Sequence, residues 1–100
     1  MSNPIVEAQG RRYELVFEPV RSSLSEGPAM LWGFQVFVRR DGEEVGMKTC
    51  FVGRVSVQFR DKEALEGGME QLVPVLYDLA REKITERLEL GEEGDEILFA

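Results

Sequence analysis

Apolar and polar residues alternate on both sides of Asp41-Gly42, and that pattern dominates the chain. Asp-Gly between two runs rich in Val and Phe predicts a two-residue hairpin, because a type I′ turn needs positive φ at both central residues. With Asp41 and Gly42 in those places, Arg40 faces Glu43. Val38 then faces Val45, Val36 faces Met47, Phe34 faces Thr49 and Trp32 faces Phe51. Side chains alternate along a strand, so these last eight residues share one face. A slip of one residue would bring Gly46, Lys48 and Cys50 onto that face instead. Turn chemistry and alternation therefore choose the same register. The other face pairs Arg39 with Glu44 and Gln35 with Lys48, cross-strand pairs worth ~0.2–1 kcal/mol each.

The flanking segments extend this sheet. Tyr13, Leu15 and Phe17 alternate with Arg12, Glu14 and Glu18, which predicts a strand over residues 11–20 with one buried face. The composition of Arg21 to Pro28, RSSLSEGP, predicts a loop. Closing it between Val20 and Ala29 sets Phe17 against Trp32 and Leu15 against Phe34. Beyond Gly53, the residues Val55, Val57 and Phe59 keep the odd-numbered apolar phase, so the third strand is expected to run to Phe59 with a bend at Gly53. Residues 1–10 have little periodicity and read as a flexible lead-in.

Asp61 is a good N-cap, Leu65, Met69, Leu72, Leu76 and Ala80 follow at helical spacing, and Gly91 suits the C′ stop. Gly67-Gly68 and Pro74 interrupt the pattern. Residues 61–90 are thus either one kinked helix or a single turn over 61–66 followed by the main helix. On that helix Leu76, Tyr77, Leu79, Ala80, Ile84 and Leu88 span an arc of ~180°, where a single contact needs a stripe only somewhat wider than ~100°. The helix is expected to touch two things. Residues 91–100 form an acidic link, GEEGDE, with Ile97 to Phe99 as a short fourth strand or a docking tail.

Together these elements predict an α+β fold in one domain over residues 1–100. An antiparallel three-stranded meander, with room for a fourth short strand, carries one long C-terminal helix on one face. The order strand-strand-strand-helix resembles single-strand-binding folds of the Whirly type, in architecture alone and without a motif.

Composition narrows the chemistry. Apolar residues make up 43% of the chain, enough for a globular core. The single cysteine, Cys50, cannot form an intrachain disulfide, and no basic-then-apolar leader is visible, so a cytoplasmic location is expected. No apolar run approaches the ~20 residues of a membrane span. The chain has no histidine, which removes the usual general base, the common metal ligand and the Ser-His and Cys-His dyads. No phosphate-binding glycine loop and no paired-cysteine motif occurs. No enzymatic activity is expected, and no catalytic, cofactor-binding or metal-binding residue is nominated. Cys50 reads as a passive small hydrophobe on the face away from the helix. Glu92, Glu93, Asp95 and Glu96 lack the spacing of a calcium loop and read as a solvated link.

The net charge of −7 is uneven: residues 1–60 hold eight basic and seven acidic side chains, residues 61–100 four and twelve. A field of that sign opposes nucleic acid and anionic membranes. The function expected is a small non-enzymatic interaction module that self-associates, as a homodimer or with another protein. Tyr77, Ile84 and Leu88 on the helix flank, and Leu31, Phe37 and Val52 on the second sheet face, are the candidate contacts. The alternative is a single-stranded nucleic-acid binder using Arg12, Gln35, Phe37, Arg39, Lys48 and Arg54 on that open face.

Overall fold

Asp41 and Gly42 take φ values of 54° and 79° and reverse the chain as the hairpin requires. The computed structural model describes residues 3–26 and 29–100, with side chains outside 22–29. Its strands are β1 (Ile5–Ala8), β2 (Arg11–Phe17), β3 (Ser22–Glu26), β4 (Ala29–Arg40), β5 (Glu43–Gly53) and β6 (Glu96–Phe99). Its helices are α1 (Arg54–Arg60) and α2 (Met69–Glu89), with a 3₁₀ turn at Lys62–Leu65 between them. The sheet order is β1-β2-β4-β5-β6, and β3 lies beside β4 as well. All pairs are antiparallel except β5 with β6. The class is α+β, an antiparallel sheet with a long C-terminal helix, and it has more strands than a three-stranded meander.

Three segments differ from the sequence reading. Ile5–Ala8 is a strand paired with Arg11–Glu14, so the lead-in is ordered there. Ser22–Glu26 is a strand against Ala29–Gly33, where a loop was expected; Gly27 and Pro28 lie outside the described residues. Because β3 takes that half of β4, β2 is displaced along it: Phe17 faces Val36 and Leu15 faces Val38. Arg54–Arg60 is a helix and not the end of a long strand. Leu31 already faces Gly53, and β4 begins at Ala29. Residues beyond Gly53 would soon run out of ladder partners, whereas a helix satisfies its backbone internally. Only Val57 of this helix is buried, and Phe59 is 89% exposed.

The hairpin itself holds the decisive correction. Arg40 faces Glu43 and Arg39 faces Glu44 as expected, but the register then shifts, and Val38 meets Gly46. Val45 is the extra residue of a β-bulge. Beyond it Val36 faces Lys48, Phe34 faces Cys50 and Trp32 faces Val52, not Phe51. Every later side chain of β5 changes face. The buried side of the sheet is built from Tyr13, Leu15, Trp32, Phe34, Val36, Val38, Cys50 and Val52, under Leu72, Leu76, Ala80, Ile84 and Leu88 of α2.

The helical region follows the second of the two alternatives. Asp61 caps the 3₁₀ turn by accepting from the Glu63 N–H, Gly68 turns the chain at φ 81°, and α2 then runs through Pro74. Gly91, at φ 83°, closes α2: its N–H donates to the Leu88 carbonyl at 3.0 Å and the Glu92 N–H to the Arg87 carbonyl at 3.0 Å. The wide apolar arc of α2 is used inside the chain, against β1, β5, α1 and the 3₁₀ turn. Tyr77 packs on Phe17 and Phe34 at ring distances of 4.7 and 5.1 Å and donates its hydroxyl to the Glu18 carbonyl.

Candidate interaction surface

The surface facing away from α2 owes its composition to a lysine on the buried side. Lys48 is 0% exposed, yet its three ammonium protons meet three acceptors: the carbonyls of Glu92 and Gly94 at 2.8 and 2.7 Å, and Glu96 Oε1 at 2.6 Å. A buried charge is tolerated when it is paired and fully hydrogen-bonded. Glu96 Oε2 accepts from Arg87 Nε and Nη2 at 3.1 and 2.8 Å. Glu93 accepts from the Tyr13 hydroxyl at 2.6 Å and from Arg40 Nε at 3.1 Å, with Arg11 at 3.5 Å. Asp95 accepts from the Met47 N–H at 2.8 Å.

The acidic link is therefore a fastened strap and not a solvated run. It crosses β5 at Gly46, where an added Cβ would lie 1.9 Å from the Glu93 carbonyl oxygen. Burial pushes the Glu96 carboxyl up, but hydrogen bonds from Lys48 and Arg87 outweigh it, and the group sits below its ordinary value. Glu93 is likewise lowered, mainly by the Tyr13 hydroxyl. Cys50 lies beside Lys48 on the inner side, where burial pushes its thiol up to about 12. It is buried beneath the helices, not on the far face, and a protonated thiol there has no nucleophilic character.

With Gly46, Lys48, Cys50 and Val52 turned inward, Met47, Thr49 and Phe51 point outward. The register arranges the outer face in rows. Val16 faces Phe37, which faces Met47; Gln35 faces Thr49, which faces Ile97; Gly33 faces Phe51, which faces Phe99. None of these nine positions is charged. Phe51 and Phe99 stack at 5.5 Å, and Ile97 and Phe99 are 66% and 63% exposed. At one end a charged row follows, Ile5–Glu14–Arg39–Glu44. Gly33, Phe34, Gln35, Thr49, Phe51 and Arg21 line a depression of about 180 Å³.

Of the nominated self-association residues, Ile84, Leu88 and Val52 are core, and Tyr77 is half-buried within the chain. The helix flank is thus no open patch. Leu31 and Phe37 do lie on the outer face, outside the core cluster. Of the nucleic-acid candidates, Arg12, Gln35, Phe37 and Arg39 share that face, Arg54 is on α1, and Lys48 is enclosed on the opposite side. Arg39 is already engaged, donating to the Gly42 carbonyl at 2.6 Å with Glu14 at 3.6 Å. Met47 and Phe51 were placed on the inner face because the bulge was not foreseen, and Ile97 and Phe99 were expected as a short strand or docking tail without a face assigned. The signal for the bulge was Lys48 within an apolar run, with an acidic segment after the helix to receive it.

Among the described residues no cluster of acidic or cysteine side chains could hold a metal ion, and no helix is long and apolar enough to cross a membrane. No family model matches the chain, and no curated protein or solved structure matches it.

Proposed function

We propose that the protein is a non-enzymatic interaction module that associates with a second copy of itself through the outer face of its sheet. The observation that carries this reading is the block of three uncharged rows, Val16–Phe37–Met47, Gln35–Thr49–Ile97 and Gly33–Phe51–Phe99, on the side opposite both helices. Apolar side chains grouped as Phe37 is with Met47 and Phe51 with Phe99 mark a contact site more often than scattered ones do. Two chains of net charge −7 repel one another, and they approach at least cost where neither presents a charge. Sedimentation equilibrium is expected to give a dimer at micromolar concentration, and Phe37→Glu with Phe51→Glu a folded monomer. A mass near 11.4 kDa for the wild type throughout that range would defeat the reading.

A second reading has one observation in its favour: Phe37, Phe51 and Phe99 stand on an open sheet with Arg12 and Arg39 nearby, the ingredients of a single-strand platform. The acidic chain and the engaged Arg39 weigh against it. Titration with a labelled oligonucleotide at low salt decides the matter; Phe37→Ala would weaken true binding by ~1–3 kcal/mol.

A further inference from the structure

Among the described residues β6 pairs with β5 alone and ends the sheet on that side. Ala100 shows which of its backbone groups are used. Its N–H donates to the Phe51 carbonyl at 2.8 Å, and its carbonyl accepts from the Gly53 N–H at 2.9 Å. Backbone direction alternates along a strand as side chains do. Leu98 therefore also turns its N–H and carbonyl toward β5, and those of Ile97 and Phe99 point away from the sheet. The side chains of these two residues are exposed as well. Neither carries a charge or a proline to guard the edge, whereas β1, at the opposite end, follows Pro4 and carries Glu7.

Beside the start of β6 lies a depression of about 340 Å³, lined by Met47, Thr49, Ile97, Asp95 and Glu96. Glu96 is committed to Lys48 and Arg87. Asp95 is exposed, accepts from the Met47 N–H through one oxygen, and has no ion-pair partner among the described residues. The site thus joins apolar walls to one uncompensated carboxylate.

We propose that the free edge of β6 binds an extended segment of another protein as an added antiparallel strand, one that carries two apolar side chains and then a Lys or Arg at alternate positions. The residues opposite Phe99 and Ile97 each exchange two backbone hydrogen bonds with them. Run antiparallel, the segment reads apolar-x-apolar-x-basic, which brings the basic residue opposite Asp95. Its methylenes lie along Met47 and Ile97, and its charge reaches the carboxylate. Charge favours this occupant, since residues 61–100 hold four basic and twelve acidic side chains. The β6 strand of a second copy would bring another acidic strap and no cation for Asp95. This contact is separate from the outer face proposed above and needs no dimer.

The probe is the end-blocked peptide Ser-Val-Thr-Val-Thr-Lys-Ser, titrated at low salt into the isotope-labelled full chain. Saturable shifts are expected at the Ile97 and Phe99 amides. Methylating both valine nitrogens removes two donors and is expected to weaken binding at least ~10-fold. Asp95→Asn keeps an acceptor for the Met47 N–H, and is expected to make the Lys peptide bind no better than one with Gln in its place. Phe99→Pro loses an outward N–H and leaves the bonds to β5 in place, so an unchanged far-ultraviolet spectrum and loss of binding are expected. The peptide variants test the same contact on the unaltered chain. Absence of saturable shifts, shifts centred on Phe37 instead of β6, or a methylated peptide that binds as well as its parent overturns the proposal. Shielding of the Ile97 and Phe99 amides that grows with protein concentration, without peptide, would place a second copy on the edge and overturn it too.

Discussion

The two faces of the sheet differ less in how apolar they are than in how their discordant residues are treated. The inner face contains a charged side chain, Lys48, and the chain brings two carbonyls and a carboxylate to it over a separation of more than forty residues. The outer face contains Phe37, Phe51 and Phe99, and both helices pack on the other side. One face is completed within the protein; the other is the face through which we propose it associates. Buried groups must find partners within the fold, because an unpaired charge in the interior costs several kcal/mol. An uncovered phenyl ring costs far less, so a surface can keep one for a partner.

The largest effect expected comes from placing charge on the inner side. Ile84→Glu with Leu88→Glu puts two carboxylates at fully enclosed positions, and circular dichroism is expected to show an unfolded chain. The same double exchange at Phe37 and Phe51 should keep the fold and change only the mass. If the first variant folded as a monomer, the division between the faces would be wrong.

Next in size is Lys48→Ala. It strands two carbonyls and weakens the hold on Glu96, and is expected to cost ~3–5 kcal/mol in denaturant unfolding. A loss under ~1 kcal/mol would mean that the strap is not fastened in solution.

Acid should loosen the inner face by a smaller amount. Glu93 and Glu96 are held below the ordinary value of 4.5, by Tyr13 and Arg40 in one case and by Lys48 and Arg87 against burial in the other. Their contribution is present above 4.5 and is lost as pH falls through the lower folded values. The denaturation midpoint should drop as pH falls below 4.5, and Glu96→Gln should flatten that dependence. An equal drop in the variant would remove Glu96 as a source.

The smallest effect is expected at the outer face. Phe51→Ser should shift the stability of the isolated monomer by less than ~1 kcal/mol, read at concentrations below the dimer constant. Its consequence should appear in association alone.

What the sequence made legible was local. The Asp41-Gly42 turn, the Asp61 cap, the Gly91 stop and the apolar spacing of α2 each depend on neighbours within a few residues, and each is found in place. The bulge at Val45 was not legible in the same way. Apolar alternation fits either phase of β5, since Met47 and Phe51 are as apolar as Cys50 and Val52. The choice is made by Gly46 and Lys48, which suit only a face crossed by an acidic strap from the far end of the chain. Val55, Val57 and Phe59 were misread for a related reason. Their spacing suits a strand, but the length of β4 decides whether such a strand would have a partner. The candidate surface followed the bulge: Phe37 falls on the outer face in either register of β5, whereas Phe51 does so only in the bulged one.

The parallel pairing of β5 with β6 also bears on the order of folding. The hairpin closes over two residues, whereas β6 reaches Lys48–Phe51 only after both helices have been laid down. Non-local pairings of this sort form late, since the loop entropy is lost before the contact is made. Until the strap arrives, Lys48 has no acceptor inside, and the unbulged register, with Met47 and Phe51 inward and Lys48 in water, is the cheaper one for the hairpin alone. Early in folding the chain is therefore expected to favour the alternation its sequence suggests, with docking of residues 92–99 then drawing β5 one residue along. A slow phase that changes the environment of Trp32, and that vanishes when Lys48 is replaced by Met, is the kinetic signature of that exchange.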